Sequence, residues 1–217
     1  MRRFLFVLAG VFLAIILVRG ASLALLVFDT RAVQPGPVPA GWRIKVVRGT
    51  PDVRVVNDAQ GSVLHLKSRS SSYSLERGVD IDSAQYPYLT WKWKVTELPR
   101  GGDLRDSSTD DQAAQLIVAF SDRHILDYIW DSNAPKDTVR SVSVMPFVHV
   151  FAFVCRSGPA EANRWISETR NVSDDFARVF GHRPSSRVKG IRIQINSQHT
   201  GTSAESYFGD VAFRNTP

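Results

Sequence analysis

Residues 89–95 constrain the fold most. Leu89, Trp91, Trp93 and Val95 alternate strictly with Thr90, Lys92 and Lys94. Apolar residues repeating every two positions describe a strand with one buried face. Two indoles on that face carry so much apolar area that the strand belongs in the middle of a core. A second apolar run, 112–120, follows the loop 99–111, which is rich in Gly, Asp and Ser.

The rest of the chain repeats this pattern in shorter pieces. Strands are expected at 42–47, 53–56, 62–67, 72–81, 124–130, 139–145, 147–154, 165–172, 188–195 and 206–213. Asn57-Asp58-Ala59-Gln60-Gly61 supplies the turn chemistry for a hairpin between the second and third of these. One helix is signalled after residue 172. Ser173 is the expected N-cap, Asp174 and Asp175 suit the positive end of the helix dipole, and Gly181 stops it. Many short strands with one short helix predict an all-β fold, an antiparallel β-sandwich. At 217 residues the chain can bury one good core, which argues for a single globular domain.

The first residues differ in kind. Arg2 and Arg3 precede an apolar run, 4–18, interrupted only by Gly10; Arg19 and Gly20 follow, and 21–28 is apolar again. This predicts an N-terminal hydrophobic helix, either a signal peptide or, with the second run included, a membrane anchor. The expected organisation is therefore a leader at 1–30, a Pro-rich linker at 31–41 and a β-sandwich domain at 42–217, with the basic residues left inside and the domain delivered outside. Of the net charge of +6, +3 sits in the first 31 residues, where Arg2, Arg3, Arg19 and Arg31 face Asp29 alone. The remaining +3 is spread without a dense cluster, so no nucleic-acid partner is expected. The single cysteine, Cys155, lies in an apolar run and reads as a buried, inert thiol.

No phosphate-binding glycine loop, metal-type Cys/His spacing or nucleophile elbow is present, and no catalytic residue, metal ligand or cofactor is assigned. Three features remain as candidate ligand-binding positions. The first is the acidic loop, Asp103, Asp106, Asp110 and Asp111. It can be read as a Ca²⁺ site, as a carboxylate pair for glycoside hydrolysis, or as a solvated turn. The second is Glu168, Arg170 and Asn171 at a strand end, where Arg170 is expected to pair with Asp111. The third is aromatic: Tyr128, Trp130 and Trp165 could stack on sugar rings, with core packing as the competing role.

Taken together, Trp91-x-Trp93, Leu98-Pro99-x-Gly101-Gly102-Asp103, Asp110-Asp111-x-Ala113, Tyr128-x-Trp130, Glu168-x-Arg170-Asn171-Val172, Asp175, Phe180-Gly181 and Tyr207-Phe208-Gly209-Asp210-Val211 resemble the bacterial domain-of-unknown-function family numbered 3047. The resemblance implies a periplasmic protein, free or anchored in the inner membrane, with a jelly-roll fold similar to carbohydrate-binding modules and no established activity. One segment departs from the family pattern: 196–200, Asn-Ser-Gln-His-Thr, carries no carboxylate, though its His199 joins the candidate set. The expected function is a non-catalytic envelope module that binds a glycan or a protein. The alternatives are a polysaccharide-active hydrolase using the loop carboxylates, and a purely structural component.

Overall fold

The computed structural model describes residues 23–121, 123–142 and 146–217. Thirteen strands and one helix follow in order: β1 Ala24–Phe28, β2 Arg43–Arg48, β3 Asp52–Asp58, β4 Gly61–Arg69, β5 Ser72–Ile81, β6 Tyr88–Glu97, β7 Ala114–Phe120, β8 His124–Asp131, β9 Val139–Ser141, β10 His149–Ser157, β11 Ile166–Asn171, α1 Val172–Phe180, β12 Val188–Asn196 and β13 Ser203–Arg214. They form two sheets packed face to face. Sheet A runs β11-β6-β13-β4-β3, with β1 also on β13; sheet B runs β2-β5-β12-β7-β8-β10-β9.

The alternation of β6 sets the core. Leu89, Trp91, Trp93 and Val95 are at most 1% exposed. Sheet B answers with Leu116, Val118, Tyr128, Trp130, Ile191 and Ile193, all buried. Trp91 meets Trp93 edge-on at 5.3 Å between ring centroids; Tyr128 lies 5.4 Å from Trp91, and Trp130 lies 5.8 Å from Trp93. Cys155 is buried, and burial, reinforced by the Glu168 charge, pushes its thiol pKa up. It is inert, as its apolar surroundings implied.

Several expectations need correcting. The sandwich is not wholly antiparallel: β10 runs parallel to β8. The connection between β8 and β10 includes β9, which pairs antiparallel with β10 at the edge. A parallel pair requires a long crossover of this kind. Residues 24–28, read above as part of the leader, are a strand. β1 pairs with the last residues of β13, and Val27 and Phe28 are buried. A five-residue apolar run fits a leader or a strand equally well, and only its partner decides. The Pro-rich segment is no free spacer, since Gly36 exchanges two backbone hydrogen bonds with Val55 on β3. The expected N-terminal helix falls in residues 1–22, outside the described residues. Among the described residues no helix is long and apolar enough to cross a membrane.

The helix is capped by Asn171, not Ser173. The Asn171 side chain accepts from the Ser173 and Asp174 backbone N–H groups, at 3.1 Å each. Ser173 Oγ turns away and donates to the Ser83 carbonyl. Gly181 ends the helix in the left-handed region at φ 80°.

Candidate functional site

The acidic loop folds back over the outer face of sheet B. Leu104, 3% exposed, packs on Ile129, Ala152 and Val154. Its carboxylates are spent locally: Asp103 on Arg105, Asp106 on Ser108, and Asp110 on the Gln112 amide at 2.6 Å. Asp111 is fully buried and accepts from the Thr200 backbone N–H at 2.7 Å. Burial raises the pKa of Asp110, with the Gln112 hydrogen bond opposing. Among the described residues, no group of three or more His, Cys, Asp or Glu side chains converges as metal ligands.

The expected Arg170–Asp111 pair does not form. Arg170 Nε donates to Asp175 Oδ2 at 2.8 Å, and Nη2 donates to Asp175 Oδ1. Tyr128 Oη donates to the same Asp175 at 2.9 Å, and the guanidinium lies over the Tyr128 and Phe153 rings. Arg170 thus did need a buried carboxylate, and the first turn of the helix supplies it. The loop is held instead by the turn after β8. Asp131 accepts from the N–H groups of Leu104, Asn133 and Ala134, Ser132 Oγ donates to the Pro99 carbonyl, and Asn133 donates to the Gly102 carbonyl. The 196–200 segment ties down the other end, with Asn196 and His199 both reaching the Asp110 carbonyl.

The remaining candidates are likewise engaged by the fold's own groups. Glu168 receives Arg156 at 2.6 Å and the Trp93 indole N–H at 3.3 Å. Tyr128 and Trp130 are completely buried, so neither ring offers a face to a sugar. On the outer face of sheet A, Lys94 lies over both Trp165 and Tyr207, and Tyr207 also stacks on His65. That platform is filled by the protein's own side chains.

An open feature remains on the outer face of sheet B, and the sequence reading missed it. Strand register brings Gly78 of β5, Gly190 of β12 and Ala119 of β7 into one row, ending at Ile125 of β8. Three interstrand gaps make this row about 14 Å long. A Cβ at Gly78 would meet nothing within 4 Å. Beside this floor runs a taller, charged row, also in register: Arg43, Glu76, Arg192, Ile117 and Asp127. On the other side stands Lys189, bound to Asp80, which Arg187 also binds. The result is a cavity of about 190 Å³ crossing the strands, lined by Arg43, Glu76, Ile117, Ile125, Lys189 and Arg192 above a glycine floor. Glycines inside β5 and β12 are the only sequence signal of it, because Gly in a strand interior often marks close approach of another group.

Asp127 closes the end of the charged row. It is 8% exposed, and its Oδ1 is sealed from solvent with no hydrogen-bond partner among the described residues. Burial, with the Asp110 charge, pushes its pKa up to about 8, against the pull of Arg192.

Residues 40–212 match the family model described as "Protein of unknown function (DUF3047)". The chain belongs to this family. Among solved structures it is similar to the family 11 carbohydrate-binding module of a Clostridium thermocellum cellulosomal cellulase (TM-score 0.47, 9% identity, 89% of this chain and 95% of that chain). It is also similar to a family 30 module from the same organism (0.48, 12%, 88% and 96%) and to endoglucanase cel12A from Rhodothermus marinus (0.49, 10%, 88% and 99%). No curated protein matches. What this member of the family binds has to be read from its own residues.

Proposed function

We propose that this protein is a non-catalytic binding module that takes an extended glycan across the outer face of sheet B. The observation that carries this reading is the in-register row Gly78–Gly190–Ala119, which lowers the sheet surface into a groove between two hydrogen-bonding walls. A groove that crosses the strands suits a linear, hydroxyl-rich chain. Charged and polar walls suit it better than the apolar anchors on which protein partners depend. Hydrolysis is less well supported, because it needs two carboxyl groups open to substrate. Here Glu76 is paired with Arg192, Asp127 is 8% exposed and Asp110 is engaged by Gln112.

Gly78 provides the test. The full chain and its Gly78→Leu variant are compared on a glycan array. A Cβ at 78 has open space around it, so the variant should fold while its side chain plugs the groove. Binding by the wild type that the variant loses supports the reading; equal binding by both refutes it. We place the module outside the cytoplasmic membrane, on the strength of Arg2, Arg3 and the apolar run 4–18. A reporter fused after Pro39 should be active only in the periplasm; cytoplasmic activity refutes export.

A further inference from the structure

We propose that the glycan taken by this groove is anionic, carrying carboxylate or phosphate groups along its chain. The inference rests on the groove reading above and specifies its ligand. Along one wall, Glu76 faces three cations. Glu76 binds Arg192 at 2.7 Å, lies 3.9 Å from Lys45, and stands in register with Arg43. On the other side Lys189 lines the cavity and shares Asp80 with Arg187. Of the residues that line the cavity, four are cations, Arg43, Arg77, Lys189 and Arg192, against the carboxylate of Glu76, and the excess is concentrated at Arg43. Arg43 is exposed and has no ion pair or side-chain hydrogen bond among the described residues. Asp127 does not offset this excess at neutral pH, since its carboxyl stays mostly protonated.

A forked, permanently charged guanidinium at a groove wall recognises carboxylate or phosphate oxygens through two parallel hydrogen bonds. The lining contains no aromatic ring. That disfavours a neutral sugar held mainly by stacking, and equally a single-stranded nucleic acid, whose bases need aromatic platforms. A linear acidic glycan satisfies both the shape and the charge.

The test is calorimetric titration of the full chain with four probes: a polygalacturonate oligomer, the same oligomer with its carboxyl groups reduced to alcohols, a poly(glycerol phosphate), and a neutral mixed-linked glucan. The expected result is binding of one or both anionic polymers, weakening steeply with salt. Carboxyl reduction and Arg43→Gln should each cost about tenfold in affinity, and Gly78→Leu should abolish binding. Whichever anionic polymer binds names the source of the charge. If the neutral glucan binds as tightly as the acidic polymers and Gly78→Leu abolishes that binding, the anionic inference fails while the groove reading stands. If any of these polymers binds and Gly78→Leu leaves it unchanged, both fail. Both also fail if no probe binds.

Discussion

Asp127 should make this protein lose stability as pH rises through neutrality. Its carboxyl lies in register between Ile117 and Ala152, with Ile125 and Ile129 along its own strand. Burial and the Asp110 charge disfavour its charged form, and Arg192 favours it. Its pKa is 3.8 in the open chain and about 8 when folded. Between roughly pH 4 and pH 8 the folded state therefore binds one proton more than the unfolded state, so the proton count of unfolded minus folded is negative. Stability conferred by the protonated carboxyl is fully present below about pH 4. It falls by about 1.4 kcal/mol per pH unit through the window and levels off above pH 8. The ceiling on the whole loss is about 6 kcal/mol. Other groups titrate too, so the readout is the difference between wild type and Asp127→Asn, a neutral side chain of the same shape. Urea unfolding of both, followed by tryptophan fluorescence from pH 4.5 to pH 9, should show wild-type stability falling relative to the variant by about 1.4 kcal/mol per unit up to about pH 8 and level beyond it. Two parallel curves would mean that the Asp127 charge is solvated or matched in the fold, and the reasoning would be wrong.

Trp93→Ala should cost roughly 3–5 kcal/mol, because the indole is fully buried against Trp91, Trp130 and Phe208; a chemical-denaturation loss under about 1 kcal/mol would contradict that packing. Arg170→Met and Asp175→Asn should each cost several kcal/mol, about 3–5 at most, and together less than the sum, since each alone strands a charge. The same cycle run on Arg170→Met and Asp111→Asn should show no coupling; coupling there would restore the pairing first expected. Gly102→Ala should destabilise by about 1–3 kcal/mol, because its Cβ would come within 2.5 Å of the Asp111 carbonyl oxygen; an unchanged unfolding midpoint would show that the loop does not close on itself there.

The residues that repeat with a period are the ones that could be read in advance. Leu89 to Val95 announced a buried strand face, and β5 began and ended where its alternation did, at Ser72 and Ile81. Chemistry without a period was only half legible. Arg170 signalled its need for a carboxylate, but the expected partner was Asp111, and only the folded helix turn brings Asp175 onto it. Ser173 was expected to cap the helix, but the helix begins at Val172, one residue before it, so that Asn171 holds the cap position. Tyr128 and Trp130 look the same in sequence whether they face a ligand or another sheet. β1 was hidden because Ala24–Phe28 continues an apolar leader and its partner lies near residue 213. The groove was the least legible feature. Gly78, Gly190 and Ala119 are far apart in the chain, and only the register of three strands aligns them.

The central claim is that ligands enter across Gly78, Gly190 and Ala119. Two-dimensional NMR of the full chain, titrated with the acidic oligomer that binds, tests this most directly. The account predicts that the backbone amides of Glu76, Gly78, Ala119, Gly190 and Arg192 shift together and saturate at one affinity. Shifts concentrated on Trp165 and Tyr207 of the opposite face, or on the Asp103–Asp111 loop, with the groove amides unmoved, would contradict it.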